Sequence, residues 1–224
     1  MAENKPLLIL RLEGALQAWG ETSKWDFRDS ADFPTKSGIV GLLGCTLGLE
    51  RGDPALYELS EAITIAVRAD RPGLRAVDFQ TVTGNPLLNA EGKKRSTGNT
   101  IISSRAYLQD ACFTVFIEAD EVWLERLAAA LQAPRWQLYL GRKSCVPSRP
   151  VLEAVSADFA SLDEALCRYP AAERASFPML YEVERTADKL SSHQRPDRLM
   201  HGKREFALRR VWRGTVKEDA DVPV

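Results

Sequence analysis

Twelve residues, Pro134 to Cys145, read PRWQLYLGRKSC and hold two aromatic rings, three cationic side chains and one glycine, with no acid among them. Rings set between cations suit a single-stranded polynucleotide, whose splayed bases stack while its backbone is neutralised. Gly141 allows close backbone approach or a positive φ. Arg135, Arg142 and Lys143 supply charge, Ser144 offers a hydroxyl to a phosphate oxygen, and Tyr139 can stack or anchor the turn. The same ingredients would also serve an enzyme's phosphate loop. The rest of the chain has to decide between catalysis and a non-catalytic cradle.

Three further stretches bear on that choice. In TKSGIVGLLG, Lys36 and Ser37 open a helix, but Ser30 and Thr35 stand where a nucleotide-binding P-loop requires glycine. A helix amino terminus still presents unpaired N–H groups to an anion. Gly38, Gly41, Gly44 and Gly48 leave one helical stripe bare, which serves either close packing or the approach of a nucleic-acid backbone. In GALQAWGE, Gln17 and Trp19 lie between two glycines. Trp19 either stacks on a base, worth roughly 1–3 kcal/mol, or plugs the core beneath a loop. The two histidines, His193 and His201, could join Tyr181 or Lys203 in a metal-independent ribonuclease site. A lone histidine in a polar loop is ordinarily just solvated. Without clustered carboxylates or a nucleophile motif, no catalytic residue, metal ligand or cofactor is assigned.

The formal net charge of the 224 residues is −1, which excludes a uniformly basic chain, yet the cations are segregated. Residues 92–105 hold Lys93, Lys94, Arg95 and Arg105 with no acid; residues 134–149 hold Arg135, Arg142, Lys143 and Arg149, again with none. Residues 189–213 hold eight cations against Asp197 and Glu205. A quarter of the chain thus carries sixteen of thirty cations and two of thirty-one acids, a distribution that creates local positive fields. Solvated basic loops are the plain alternative, and a surface for protein partners or target DNA is another.

The elements that must position these residues follow from periodicity. Pro6–Leu12 reads as a buried strand, Pro34–Gly48 as a helix, and DPALYELSEA as a second helix capped by Asp53. Ala62–Asp70 and Ala111–Ala119 read as strands, DEVWLERLAAALQAP as a helix capped by Asp120, and WQLYL as a short strand. The order strand, helix, strand, strand, helix, strand predicts an α+β fold of the ferredoxin-like or RRM-like kind, with one sheet face free for a ligand. From about 78 to 104 the text is polar, Gly/Asn/Thr-rich and too long for a plain connection, which predicts a protruding hairpin. After Pro150 come a short helix capped by Ser161, strands at MLYEVER and REFALRRVW, and a basic segment between them. The organisation expected is therefore a domain over 1–150 carrying the insertion, then a β-rich extension over 151–224.

The four cysteines, Cys45, Cys112, Cys145 and Cys167, form no CxxC pair, so reduced, mostly buried thiols in a cytoplasm are expected. The first apolar run is too short for a signal peptide or a membrane span.

LLILRLEGALQAWGE, FPTKSGIVGLLGCTLGLERGD, YLQDACFTVFI and PRWQLYLGRKSC, in that order and spacing, resemble the CasD family, the RAMP-type subunit of the type I-E CRISPR surveillance complex Cascade. The match covers residues 6–150, and KREFALRRVW echoes a strand near the family's end. The resemblance implies a modified RRM with a thumb hairpin at about 78–104. It implies a non-catalytic subunit that grips the 5′ handle of the CRISPR RNA. The backbone subunit CasC and the large subunit CasA would be its neighbours, and target DNA an indirect partner. The RNA-binding residues expected on these grounds are Gln17, Trp19, Lys36, Ser37, Lys93, Lys94, Arg95, Arg105, Arg135, Tyr139, Gly141, Arg142, Lys143 and Ser144. In a sister system the equivalent subunit is itself an endoribonuclease that processes the precursor RNA, and this is the competing expectation.

Overall fold

Three apolar runs make the centre of the molecule. LLILRLE forms β1 (Leu7–Glu13), TIAVRADR forms β4 (Thr64–Arg71) and CFTVFIE forms β7 (Cys112–Glu118), each buried on both faces over most of its length. Near-continuous hydrophobic text, rather than alternation, is what two-sided burial demands. In a computed structural model, residues 5–24, 26–84, 86–89, 91–94, 100–184, 193–201 and 205–217 are described. Around the central strands lie β2 (Leu16–Gln17), β3 (Phe27–Arg28), β5 (Leu74–Thr83), β6 (Thr100–Gln109), β8 (Leu152–Ser156), β9 (Met179–Glu184), β10 (His193–Leu199) and β11 (Phe206–Val216). The helices are α1 (Lys36–Leu47), α2 (Pro54–Ala62), α3 (Glu121–Gln132) and α4 (Leu162–Arg168).

Each helix starts where a short polar side chain accepts a backbone N–H of its first turn. The caps are Thr35, Asp53, Asp120 and Ser161. α1 ends at Gly48, whose φ of 73° is the left-handed conformation that closes helices.

A mixed α/β architecture results, dominated by a seven-stranded antiparallel sheet in the order β10-β11-β9-β4-β7-β1-β8. The strands after residue 150 build no sheet of their own: β8 adds to β1, and β9 with β11 and β10 adds to β4. β5 and β6 form a long antiparallel hairpin that leaves the body, and β2 and β3 pair with the lower half of β6 in a second sheet. Among the described residues no helix is long and apolar enough to cross a membrane.

The structure departs from the sequence reading in three places. WQLYL makes no strand; the place beside β1 goes to β8, and 134–149 becomes a loop pinned by backbone bonds from Arg135 and Trp136 to the carbonyls of Thr46 and Cys45. The basic segment before REFALRRVW contains a strand, β10, which was not expected. The sheet face opposite α1 and α3 is also not free. α4 and its flanks cover it, packing Leu162, Ala165 and Leu166 on Leu7, Ile9, Ala66 and Phe116.

That cover is fastened by charge. Asp70, fully buried, accepts from Arg11 at 2.5 Å, from Arg68 at 2.7 Å, from the Thr114 hydroxyl and from the Ala172 backbone. Arg68 in turn donates to the carbonyl of Leu166 in α4 and to those of Tyr169 and Pro170 just after it. Cys112 and Cys145 are buried, Cys45 is half-buried and Cys167 is exposed. Burial pushes the Cys112 thiol up to about 11, so it stays protonated at neutral pH.

Candidate nucleic-acid interface

The loop over 134–149 docks on the body through backbone bonds. Ala18 donates to the Leu140 carbonyl, Leu140 to that of Cys145, and Cys145 to that of Arg142. Gly141 has a φ of 87°, and a Cβ there would lie 1.7 Å from the Ala18 carbonyl oxygen. The close approach read from this glycine is therefore made to the chain's own backbone.

Arg142 reaches across to the base of the hairpin. It donates to the carbonyls of Ala106, Arg28 and Asp29 at 2.9–3.0 Å, and its guanidinium stands 4.7 Å over the Tyr107 ring. None of these acceptors is a carboxylate, so the geometry fixes the side chain without cancelling its charge. Asp29 holds the turn that presents two of those carbonyls. Partial burial works to raise its carboxyl, but hydrogen bonds from Ser23, Thr22 and Glu21 outweigh that and hold it below the ordinary 3.8.

Strand register places further cations beside Arg142. Arg28 on β3 is the parallel partner of Arg105 on β6, and Asp78 on β5 faces Arg105 from the other side. Residues opposite one another across a ladder share a face, as do residues two apart along a strand. Arg28, Arg105, Asp78 and Tyr107 therefore lie on one face of the hairpin, the face over which Arg142 lies. The Arg105 Nε is buried without a hydrogen-bond partner. Lys143 and Ser144 are exposed on the adjoining turn, and Arg135 is exposed at the start of the loop. Lys143 has no ion pair among the described residues. The arrangement gives a cationic wall at the junction of hairpin and body, with hydroxyl and aromatic groups at its edge.

Several residues expected to touch RNA are turned inward. Trp19 is 1% exposed and donates its indole N–H to Gln17 Oε1, while the Gln17 amide donates to the carbonyls of Leu12 and Ala111. Neither has a surface to offer a base. The Lys36 ammonium is buried on the Ile63 carbonyl and Glu184 at 2.9 Å. Burial draws it below 10.5, against the pull of Glu184. The α1 amino terminus is also occupied: Asp197 Oδ2 takes the Lys36 N–H at 2.8 Å and Thr35 takes that of Gly38. Ser37 is half-buried, its hydroxyl 3.3 Å from that of Thr35. Tyr139 is half-buried, and burial first, then the Cys45 thiol, raises its hydroxyl above 10.0. Of the helical glycines, Gly38 is filled by Trp19 and Gly44 by Leu56, whereas Gly41 faces open space.

On the hairpin tip, Lys93 is exposed and 3.4 Å from Glu91, Lys94 is exposed in a bridge with Leu88, and Arg95 lies outside the described residues. Four of the described cations of 189–213 are paired with acids. Arg195 pairs with Glu21 and Glu182, Arg209 with Asp197, Arg198 with Glu61 and Arg213 with Glu182. His193 pairs with Val211 on the far side of β11 from Tyr181, which pairs with Gly214. His201 meets Tyr57 edge-on at 5.3 Å, and Lys203 lies outside the described residues. Arg28 and Tyr107 were not expected: the β3–β6 pairing brings Arg28 to the wall, and Tyr107 joins it two positions along β6 from Arg105, under Arg142.

The family model described as CRISPR-associated protein (Cas_Cas5) matches residues 7–212. The CRISPR system Cascade subunit CasD of Escherichia coli (strain K12) is 39% identical over 159 residues, covering 64% of this chain and 68% of the relative. A solved chain described as a CRISPR RNA-guided surveillance complex superposes with a TM-score of 0.76 at 32% identity, covering 97% of this chain and 93% of that one. A second, described as a Cas protein, superposes with a TM-score of 0.74 at 34% identity and covers 97% of both.

Proposed function

The chain belongs to the Cas5 family of CRISPR-associated proteins, and on that premise we propose that it is the CasD-type subunit of a type I-E Cascade surveillance complex, holding the 5′ handle of the CRISPR RNA without cutting it. One observation carries the assignment of the site: Arg142 is held by three backbone carbonyls and by no carboxylate on the wall where the hairpin meets the body, beside Lys143. Backbone phosphates of a single strand are the ligand that such a wall serves. Lys143, Arg105, Arg135 and Ser144 are the contacts, and Arg142 ties the turn that carries Lys143 and Ser144 to the foot of the hairpin. Gln17, Trp19, Lys36, Ser37, Tyr139 and Gly141 build the support.

The sheet order β4-β7-β1-β8, with α1 and α3 on one face, supports an RRM-like core of the ferredoxin type. β5–β6 is its thumb, and the residues after 150 extend its sheet at both edges. CasC and CasA are the protein neighbours, target DNA is met through them, and the cytoplasm is the compartment. The endoribonuclease alternative finds no support in the placement of His193, apart from Tyr181.

Anisotropy titrations of a fluorescent oligoribonucleotide carrying the locus's own repeat sequence test the site. Lys143→Ala is expected to weaken binding at every salt concentration and to flatten the slope of log K against log salt by about 0.7. An unchanged slope and affinity would remove Lys143 from the contact. Incubation of the same RNA in EDTA is expected to leave it intact.

A further inference from the structure

Beside the wall runs a loop, described at residues 20–24 and 26–29, that leaves the body after Trp19 and returns at Ser30. Its neck is closed twice. The Ala31 N–H donates to the Trp19 carbonyl at 2.6 Å, and the Trp19 N–H to the Ser30 hydroxyl at 3.0 Å. Inside it the Asp29 carboxylate accepts from the N–H groups of Glu21 and Thr22 and from the hydroxyls of Thr22 and Ser23. All four donors are neutral, so this acid orders the loop and pairs with no cation among the described residues. Glu21 is engaged elsewhere: its Oε1 accepts from the Nε–H of Arg195, a buried residue of β10, at 2.5 Å.

The tip is tied to the hairpin. The Ser104 N–H donates to the Asp26 carbonyl at 2.9 Å, and the Lys24 N–H to the Phe27 carbonyl at 2.8 Å. Alternation along β3 puts Phe27 with Phe79 on the exposed apolar face of the hairpin and Arg28 beside Arg105 on the wall. Lys24 therefore lies alongside the strand that brings Arg28 to the wall. Arg142 binds the carbonyls of Arg28 and Asp29, so one guanidinium ties the segment of Lys24 to that of Lys143. Lys24 is exposed and has no ion pair among the described residues, and neither has Asp26, also exposed. A cation carried on a loop fixed at neck, interior and tip loses less entropy on binding. Its ammonium is a point charge of the kind that serves phosphate.

We propose that this loop is a second arm of the RNA site, with Lys24 as its phosphate contact. A strand lying on Arg105 and Lys143 then has one further backbone phosphate neutralised at Lys24, on a frame set by Asp29. The proposal rests on the reading of the wall as an RNA site.

Titrations of the full chain with fluorescent repeat RNA across a range of salt test it. Lys24→Ala is expected to flatten the slope of log K against log salt by about 0.7, and to weaken binding about fivefold near 0.1 M salt. Lys24→Ala combined with Lys143→Ala is expected to flatten the slope by about 1.4. Asp26→Asn removes an anion two residues from Lys24 and is expected to tighten binding about twofold, the size of a screened surface interaction. Lys5, exposed before the opposite end of β1, is the control, and Lys5→Ala is expected to change neither slope nor affinity. If Lys143→Ala flattens the slope and Lys24→Ala does not, the arm is overturned and the wall stands. If neither does, both fall, and flattening by Lys24→Ala alone keeps the arm and removes Lys143. Weaker binding by Lys24→Ala at an unchanged slope, an equal effect of Lys5→Ala, or no gain from Asp26→Asn overturns the proposal as well. Unchanged RNA binding by Lys24→Ala with poorer incorporation into the assembled complex would make the loop a protein contact, which also overturns it.

Discussion

Asp70→Asn is expected to destabilise the fold by about 3–5 kcal/mol, because it leaves two buried guanidinium groups facing a neutral amide. Arg11 and Arg68 are 4% and 0% exposed, and Asp70 is their shared anion. Glu153 stands 3.6 Å from Arg11 and compensates only in part. The shape of the side chain hardly changes, so the loss reports charge rather than volume. The same carboxylate holds the Ala172 N–H, and Arg68 holds three carbonyls in the last turn of α4 and just after it. The cover over the second sheet face should therefore loosen before the rest of the fold. Urea unfolding gives the magnitude, and limited proteolysis over 157–176 gives the place. A loss under about 1 kcal/mol, typical of a solvated pair, would contradict the account.

Arg142→Ala carries the second large effect. The substitution removes three hydrogen bonds from a charged donor, each worth roughly 1.5–3 kcal/mol and not additive, together with the stack on Tyr107. An overall cost of about 3 kcal/mol is expected, accompanied by faster exchange at the foot of β6 and at Arg28–Asp29. RNA affinity should fall with it, because the wall is held in place by this side chain. Arg142→Lys should recover little, since an ammonium cannot span three separated carbonyls as a planar guanidinium does. Lys143→Ala should weaken RNA binding with no loss of stability. The pair separates support from contact. Equal stability of Arg142→Ala and the parent protein would mean that the three carbonyl bonds do not hold the hairpin.

The local elements were legible because local chemistry determines them. Asp53, Asp120 and Ser161 cap three helices as their positions before apolar periodicity imply, and of Thr35 and Ser37, both placed to cap the first helix, Thr35 does so. The long polar insertion is indeed flanked by hairpin strands. Contacts distant in sequence were not legible. Asp197 meets Lys36 across 161 positions, so a helix terminus that reads as an open anion seat is filled by the chain itself. The basic stretch at 189–213 looked like a positive field because its partners, Glu21, Glu61 and Glu182, lie outside or far from it. Trp19 was ambiguous until Gln17 showed where its N–H goes. Residues that combine burial with charge, such as Arg68 in TIAVRADR, look like a strand end entering solvent. Periodicity carries no mark of a second layer above them.

The central claim is that the cationic wall between hairpin and body holds the leader of the guide RNA. It is met most directly by zero-length photocrosslinking of the assembled complex, with a 4-thiouridine placed at each handle position in turn and the joined peptides sequenced. Adducts on residues 100–107 and 135–144 are the expected result. Handle adducts confined to the apolar face around Phe79, or falling wholly on other subunits while this chain is fully incorporated, would contradict it.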